Sequence, residues 1–236
     1  MNAHVLLRDF VRAREIAPYG DDVEVGRVTR TLVERGHSIL QSHKLAATDE
    51  DHLLELLDYF DPPYGGSVLD VGCGVGTVAA FMADVCRDLK FTLLNISGTQ
   101  LEMAPPEMAK VRADMHALPF RRDSFDAVMF CYSLGHGLLD ECIAEASRVL
   151  RPGGVLFIYD LETKDQDYLI EHLGYRPHSK KEVWDAARRH SFALDFVKQP
   201  FGDASDLIAL IGRDAFAELG FDDSWPMLYR FTKVSA

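Results

Sequence analysis

A short apolar run feeds three alternate glycines and then a helical stretch in Val68-Leu69-Asp70-Val71-Gly72-Cys73-Gly74-Val75-Gly76-Thr77. Glycine tolerates positive φ and lets a ligand approach the main chain, and the following helix points its N-terminus at the same place. A strand, a glycine turn and a helix in that order predict the first βα unit of a doubly wound sheet. Ligands of such sheets bind at the carboxyl ends of the strands.

The rest of the chain supports that class. Apolar runs at Ser67–Val71, Phe91–Ile96, Asp126–Cys131 and Val155–Leu161 alternate with amphipathic stretches near 77–87, 99–109 and 138–150. Strands separated by helices imply parallel pairing, because a parallel partner needs a crossover. Farther on, Lys180 to His190 reads as a helix, Ala193–Lys198 as a strand, 203–219 as one or two helices and Met227–Val234 as a last strand. Arg151-Pro152-Gly153-Gly154 reads as a sharp turn. Residues 1–64 read as an N-terminal helical cap on the same domain, with Val28, Leu32, Ile39 and Leu40 at helical spacing. Its last helix starts at a capping-box-like Thr48/Asp51 and stops at Asp61-Pro62-Pro63. The expected organisation is therefore this cap and a domain over 65–236, with a helical insertion around 201–224 near the acceptor site.

At 236 residues the chain suits one domain with a full core. Thirty-seven acidic against 25 basic residues give a net charge of −12, which repels a phosphate backbone unless basic residues gather on one face. Arg121-Arg122, Lys180-Lys181 and Arg188-Arg189 are short and flanked by acids, so no nucleic-acid partner is expected. Cys73, Cys86, Cys131 and Cys142 form no C-x-x-C pair and read as thiols of a reducing compartment, with no metal site. No run of 18 apolar residues and no signal-like start is present, so the expected location is cytoplasmic, with no membrane span.

Glycine spacing separates the cofactors. A dinucleotide fingerprint beginning at Gly72 and Gly74 requires a third glycine at position 77, where the chain has Thr77, so a nicotinamide-dependent oxidoreductase is the weaker reading. The D-x-G-x-G-x-G pattern instead resembles the first motif of the class I S-adenosylmethionine-dependent methyltransferases. Three further segments follow in that family's order: Phe91–Ile96 with Ser97-Gly98-Thr99-Gln100-Leu101, Arg112–Phe120 running to Val128, and Glu145 to Leu156. Together they resemble the small-molecule branch that includes ubiquinone, tocopherol and sterol methyltransferases.

That resemblance implies a Rossmann-like α/β fold with a mostly parallel seven-stranded sheet and helices on both faces. It also implies S-adenosyl-L-methionine as cofactor, S-adenosyl-L-homocysteine as product, and a small, partly apolar acceptor methylated at carbon, oxygen or nitrogen. Carried over by position, the turn at Gly72, Cys73, Gly74 and Gly76 holds the methionine moiety, and Asp70 is the anion near its ammonium and sulfonium. Asp114 accepts from the adenine amino group and Met115 offers its amide and an apolar face. Ile96 and Cys131 complete the cofactor set. The family usually has an acid at the end of the second strand to take both ribose hydroxyls. This chain has Asn95, which forgoes charge assistance, and Gln100 is expected to share the contact, as in the similar segment of cyclopropane fatty acid synthases.

Methyl transfer from a sulfonium needs chiefly a nucleophile held in line and water kept out. After the fourth strand, Cys131-Tyr132-Ser133-Leu134-Gly135-His136 faces the donor in this fold. His136 is the first candidate for a base or orienting group because histidine titrates near neutrality; Tyr132 is second, and Asp160 and Glu162 are third. A non-catalytic module that binds S-adenosylmethionine is the alternative from another class, and a homodimer is an open assembly.

Overall fold

A computed structural model describes residues 45–46, 48–164, 175–200, 205, 208, 213–218 and 221–234. The expected helices before residue 45, most of those over 203–219, and aromatics such as Tyr19, Tyr168 and Phe201 lie outside the described residues.

The elements in chain order are α1 (Asp49–Phe60), β1 (Ser67–Val71), α2 (Thr77–Val85), β2 (Lys90–Asn95), α3 (Gly98–Met103) and β3 (Ala109–Arg112). They continue with β4 (Phe125–Cys131), α4 (Leu139–Val149), β5 (Leu150–Thr163), α5 (Lys180–Arg189), β6 (Phe192–Lys198), α6 (Arg213–Glu218) and β7 (Ser224–Lys233). The strands form one seven-stranded sheet in the order β3-β2-β1-β4-β5-β7-β6. Pairs from β3 through β5 are parallel, whereas β7 runs antiparallel to both β5 and β6. The order reverses between β1 and β4, and the helices that follow these two strands, α2 and α4, pack on opposite faces, which is where such sheets form a ligand crevice.

Alternation along each strand sends successive residues to opposite faces. Val68, Ala127, Met129, Phe157 and Leu228 face one way and share a core with Leu56 and Phe60 of α1 and with Ala79 and Met82 of α2. Leu69, Val71, Val128, Phe130, Leu156 and Ile158 face the other way, against Cys142, Ile143 and Ala146 of α4 and Val183 of α5. Phe60 stacks on Phe157 with ring centroids 5.0 Å apart, and burying such a ring contributes about 1.5–3 kcal/mol. Arg230 on β7 donates to the Phe60 carbonyl at 3.1 Å and pairs with Asp195 on β6, tying the end of α1 to the antiparallel edge.

Three local expectations change. The helix expected over 99–109 ends at Met103, because Pro105 and Pro106 cannot supply the N–H groups that would continue it. The residues just beyond it form β3, an edge strand that the sequence pattern did not reveal. Arg151-Pro152-Gly153-Gly154, expected as a turn, lies within β5. Phe125 pairs with Leu150 and Ala127 with Val155, so those four residues form an enlarged bulge opposite Asp126, with Gly153 at φ 79°. At the start of α1 the Thr48 hydroxyl accepts from the Asp51 amide as expected, but Asp51 bonds that same hydroxyl rather than the Thr48 backbone.

Candidate functional site

The crevice is built from the ends of β1, β2 and β4 and the connections that leave them. Gly72, Gly74 and Gly76 all adopt positive φ, of 72°, 58° and 77°. At Gly72 a Cβ would lie 2.5 Å from Ser133 Cβ and 3.6 Å from the Met115 methyl, so a side chain there has no room. The Gly72 and Cys73 amides both donate to the Leu94 carbonyl, at 2.8 and 3.1 Å, and the Gly76 amide donates to Cys73 at 2.9 Å. These bonds clamp the turn against β2. Amides that meet a ligand must then come from Gly74, Val75 and the first turn of α2.

Asp70 lies beneath the turn and is only 2% exposed. Its Oδ1 is buried with no hydrogen-bond partner among the described residues, and burial pushes the carboxyl up to about 7. An orphaned buried carboxylate oxygen carries a large desolvation cost unless a cation or donor arrives. An ammonium or sulfonium supplies that charge, so the residues present fit a sulfonium amino acid. Cys73 and Cys131 are buried as well, and burial reinforced by Asp70 raises both thiols, which marks them as packing groups rather than nucleophiles.

At the end of β2, Asn95 is tied into the turn. Its amide nitrogen lies 3.2 Å from the Gly74 carbonyl and 2.7 Å from Gln100 Oε1, while its oxygen accepts from the Ser97 amide. Ile96 is half-buried beside it, and its carbonyl accepts from Arg112 Nε at 3.2 Å. Asp114, just after β3, is exposed and accepts at Oδ1 from the His116 backbone amide and from His116 Nδ1, at 2.9 and 2.5 Å. The backbone bond first, then the ring, hold its carboxyl below the usual range.

Immediately after β4, Tyr132 has φ 51°, unusual for an aromatic residue, and its hydroxyl lies 3.2 Å from that of Tyr159. Ser133 Oγ donates to the Val71 carbonyl at 2.5 Å, fastening the end of β4 to β1. His136 closes the 3-10 turn Leu134–His136 and meets the Tyr175 ring edge-on at 4.8 Å. Asp160 is buried and its carboxyl is pushed up to about 7 by burial, against the opposing bonds from the Leu161, Gly135 and Leu134 amides. Asp160 thus supports the turn at 134–135, whereas Glu162 accepts from the Lys180 amide and from Trp225 Nε1.

The expected cofactor residues therefore gather at the ends of β1 to β4. Sequence reasoning gave no role to Ser133, Tyr159 and His116; Ser133 lies within the 131–136 segment and His116 two positions after Asp114, whereas nothing in the sequence marked Tyr159. Among the described residues, no three His, Cys, Asp or Glu side chains converge as metal ligands, and no helix is long and apolar enough to cross a membrane.

Residues 69–158 match the methyltransferase domain family, a span from β1 to β5. A sterol 4-C-methyltransferase of Caenorhabditis elegans is 33% identical over 144 residues, covering 51% of this chain and 42% of that protein. A malonyl-[acyl-carrier protein] O-methyltransferase of Enterobacter lignolyticus is 32% identical over 156 residues, covering 58% and 59%. The chain thus spans about half the length of the curated relatives it matches. A solved structure of geranyl diphosphate methyltransferase, in complex with GPP and sinefungin, has a TM-score of 0.76 at 19% identity, covering 95% of this chain and 98% of that one. Residues 69–158 are thus similar to the methyltransferase domain family, and the sheet built around them has the fold of the solved methyltransferase structures.

Proposed function

We propose that this chain is an S-adenosylmethionine-dependent methyltransferase that acts on a small, partly apolar metabolite. The observation that carries the reading is the glycine turn at 72–76 poised over the orphaned Asp70 carboxylate. A nicotinamide reading is disfavoured by Thr77 in the glycine register and by the neutral Asn95 at the end of β2.

The cofactor supplies an activated methyl group on a sulfonium. In the proposed reaction the sulfur–methyl bond breaks as the acceptor–methyl bond forms, and the acceptor's proton goes to a base where its atom carries one. Asp70 balances the positive charge of the bound cofactor. Gly74 and Val75 offer amides to its amino-acid tail, Gln100 and Asn95 define the ribose side, and Asp114 and Met115 hold the purine. His136 is the proposed base or orienting group, with Tyr132 beside the acceptor. The tyrosine rings 132, 159 and 175 give this side an aromatic character suited to an apolar acceptor body. The sterol and geranyl diphosphate named for relatives are acceptors of that kind. The net charge of −12 and the buried thiols of Cys73, Cys131 and Cys142 support a cytoplasmic setting without a nucleic-acid partner, and a homodimer is the proposed assembly.

Isothermal titration with S-adenosylhomocysteine and with NADH tests the cofactor: the first should bind and the second should not. A labelled methyl donor offered with a metabolite extract tests transfer. In His136→Ala, turnover should fall about 10²-fold or more while cofactor affinity stays within twofold. Full turnover in that variant removes His136 from the mechanism, and tight binding of NADH instead of S-adenosylhomocysteine overturns the assignment.

A further inference from the structure

His116 is half-buried between two parts of the crevice that have no sequence proximity. The Leu138 backbone N–H, at the N-cap of α4, donates to His116 Nε2 at 2.8 Å. A backbone amide can only donate, so Nε2 must accept and the ring proton resides on Nδ1. That proton then points along the 2.5 Å contact to Asp114 Oδ1, which is already held by the His116 amide at 2.9 Å. The carboxylate is fixed through one oxygen, and Oδ2 is the oxygen left for a ligand.

The segment 134–138 has little freedom to sit elsewhere. A Cβ on Gly137 would meet Cys142 Sγ at 2.5 Å, Met115 Sδ at 2.9 Å and His116 Nε2 at 3.2 Å. The same segment carries His136 against Tyr175. One imidazole therefore joins the carboxylate on the nucleotide side to the turn on the acceptor side, with its tautomer dictated at one end by a main-chain amide.

We infer that His116 is a positioning residue that couples purine recognition by Asp114 to assembly of the acceptor-side turn at 134–138. Purine recognition by Asp114 is the reading proposed above, and it is the premise here. A carboxylate held in a single orientation discriminates between a 6-amino and a 6-oxo purine, because the first donates to it and the second presents another acceptor. Loss of its orienting donor lets the carboxylate rotate into solvent and weakens that discrimination. Purine binding in turn steadies the ring that receives the Leu138 amide.

The test compares S-adenosylhomocysteine with its 6-oxo analogue, S-inosylhomocysteine, by titration, together with hydrogen exchange at the Leu138 amide. The wild-type protein should prefer the adenosyl ligand about 10- to 100-fold, and the ligand should slow exchange at Leu138. In His116→Ala the preference should shrink to about threefold or less, with no added protection at Leu138. His116→Asn places an amide N–H where Nδ1 was but leaves Leu138 without an acceptor, so it should keep most of the preference and lose the protection. It also separates the two halves of the coupling if the alanine variant does not fold. A purely structural role weakens both ligands equally and leaves the preference intact, and that result overturns the inference. Asp114→Asn is the control on the premise. If it retains the full preference, the purine reading of Asp114 fails; if it loses the preference while His116→Ala and His116→Asn both behave as wild type, only the role of His116 fails.

Discussion

Asn95 and Gln100 form one hydrogen-bonded unit, the Asn95 amide donating to Gln100 Oε1 at 2.7 Å and to the Gly74 carbonyl at 3.2 Å. Two backbone groups fix the orientation of that amide, since the Gly74 carbonyl needs a donor and the Ser97 N–H needs the Asn95 oxygen as acceptor. Both ends of the side chain are thereby committed within the protein. Asn95 acts as a strut for the glycine turn, and in the proposed complex the amide nitrogen of Gln100 is the group left to meet the ribose.

Asn95→Leu preserves the side-chain volume but strands the Gly74 carbonyl and the Ser97 amide. Leaving buried polar groups unpaired costs about 1–3 kcal/mol, so thermal unfolding should shift down by about 2–10 °C. Affinity for S-adenosylhomocysteine should fall along with it, because the turn at 72–76 loses its side-chain tie to β2 and keeps only the bonds to the Leu94 carbonyl. Unchanged melting and unchanged affinity would show that the amide is dispensable.

At Gly72 two separate penalties apply to any side chain. The φ of 72° costs a non-glycine residue about 1–2 kcal/mol, and the new Cβ would lie 2.5 Å from Ser133 Cβ. Gly153 isolates the first penalty, with φ 79° and nothing within 4 Å of its missing Cβ. Gly72→Ala should lower cofactor affinity by about 10-fold or more, whereas Gly153→Ala should lower stability modestly and leave affinity unchanged. Parallel titrations of the two variants check this, and equal affinities in both would count against a crevice at Gly72.

The alternation of strands and helices was legible because each apolar run is long enough to be buried on both faces of a parallel sheet, as in Val68–Val71 and Ala127–Cys131. Edge elements carry a weaker signal. β3 has four residues, two of them exposed, and its Lys110 and Arg112 look like helix or loop surface until Leu93 and Asn95 are found beside them. Asp70 and the glycines stood out because close main-chain approach requires a particular residue type. His116, Ser133 and Tyr159 did not, because their roles come from partners 22, 62 and 27 positions away. Such pairings are products of topology, and spacing along the chain holds no trace of them.

Proton linkage at Asp70 gives a further prediction. Its carboxyl titrates at about 7 when folded because burial disfavours the anion, against about 3.9 in an unfolded chain. Between those values the folded state binds the extra proton, so the contribution of Asp70 to stability without ligand is fully present below about pH 4 and is lost as pH rises through about 7. Asp160, raised to about 7 by the same cause, adds a decline of the same sign. A cationic ligand beside Asp70 reverses the preference and favours the carboxylate. At pH 6 cofactor binding should therefore release close to one proton, read from titration heats in buffers of different ionisation enthalpy. The release should vanish by about pH 9, where Asp70 is already ionised, and should be absent at pH 6 in Asp70→Asn. If the wild-type heats at pH 6 do not depend on the buffer, Asp70 does not change protonation on binding, and the cation is not beside it.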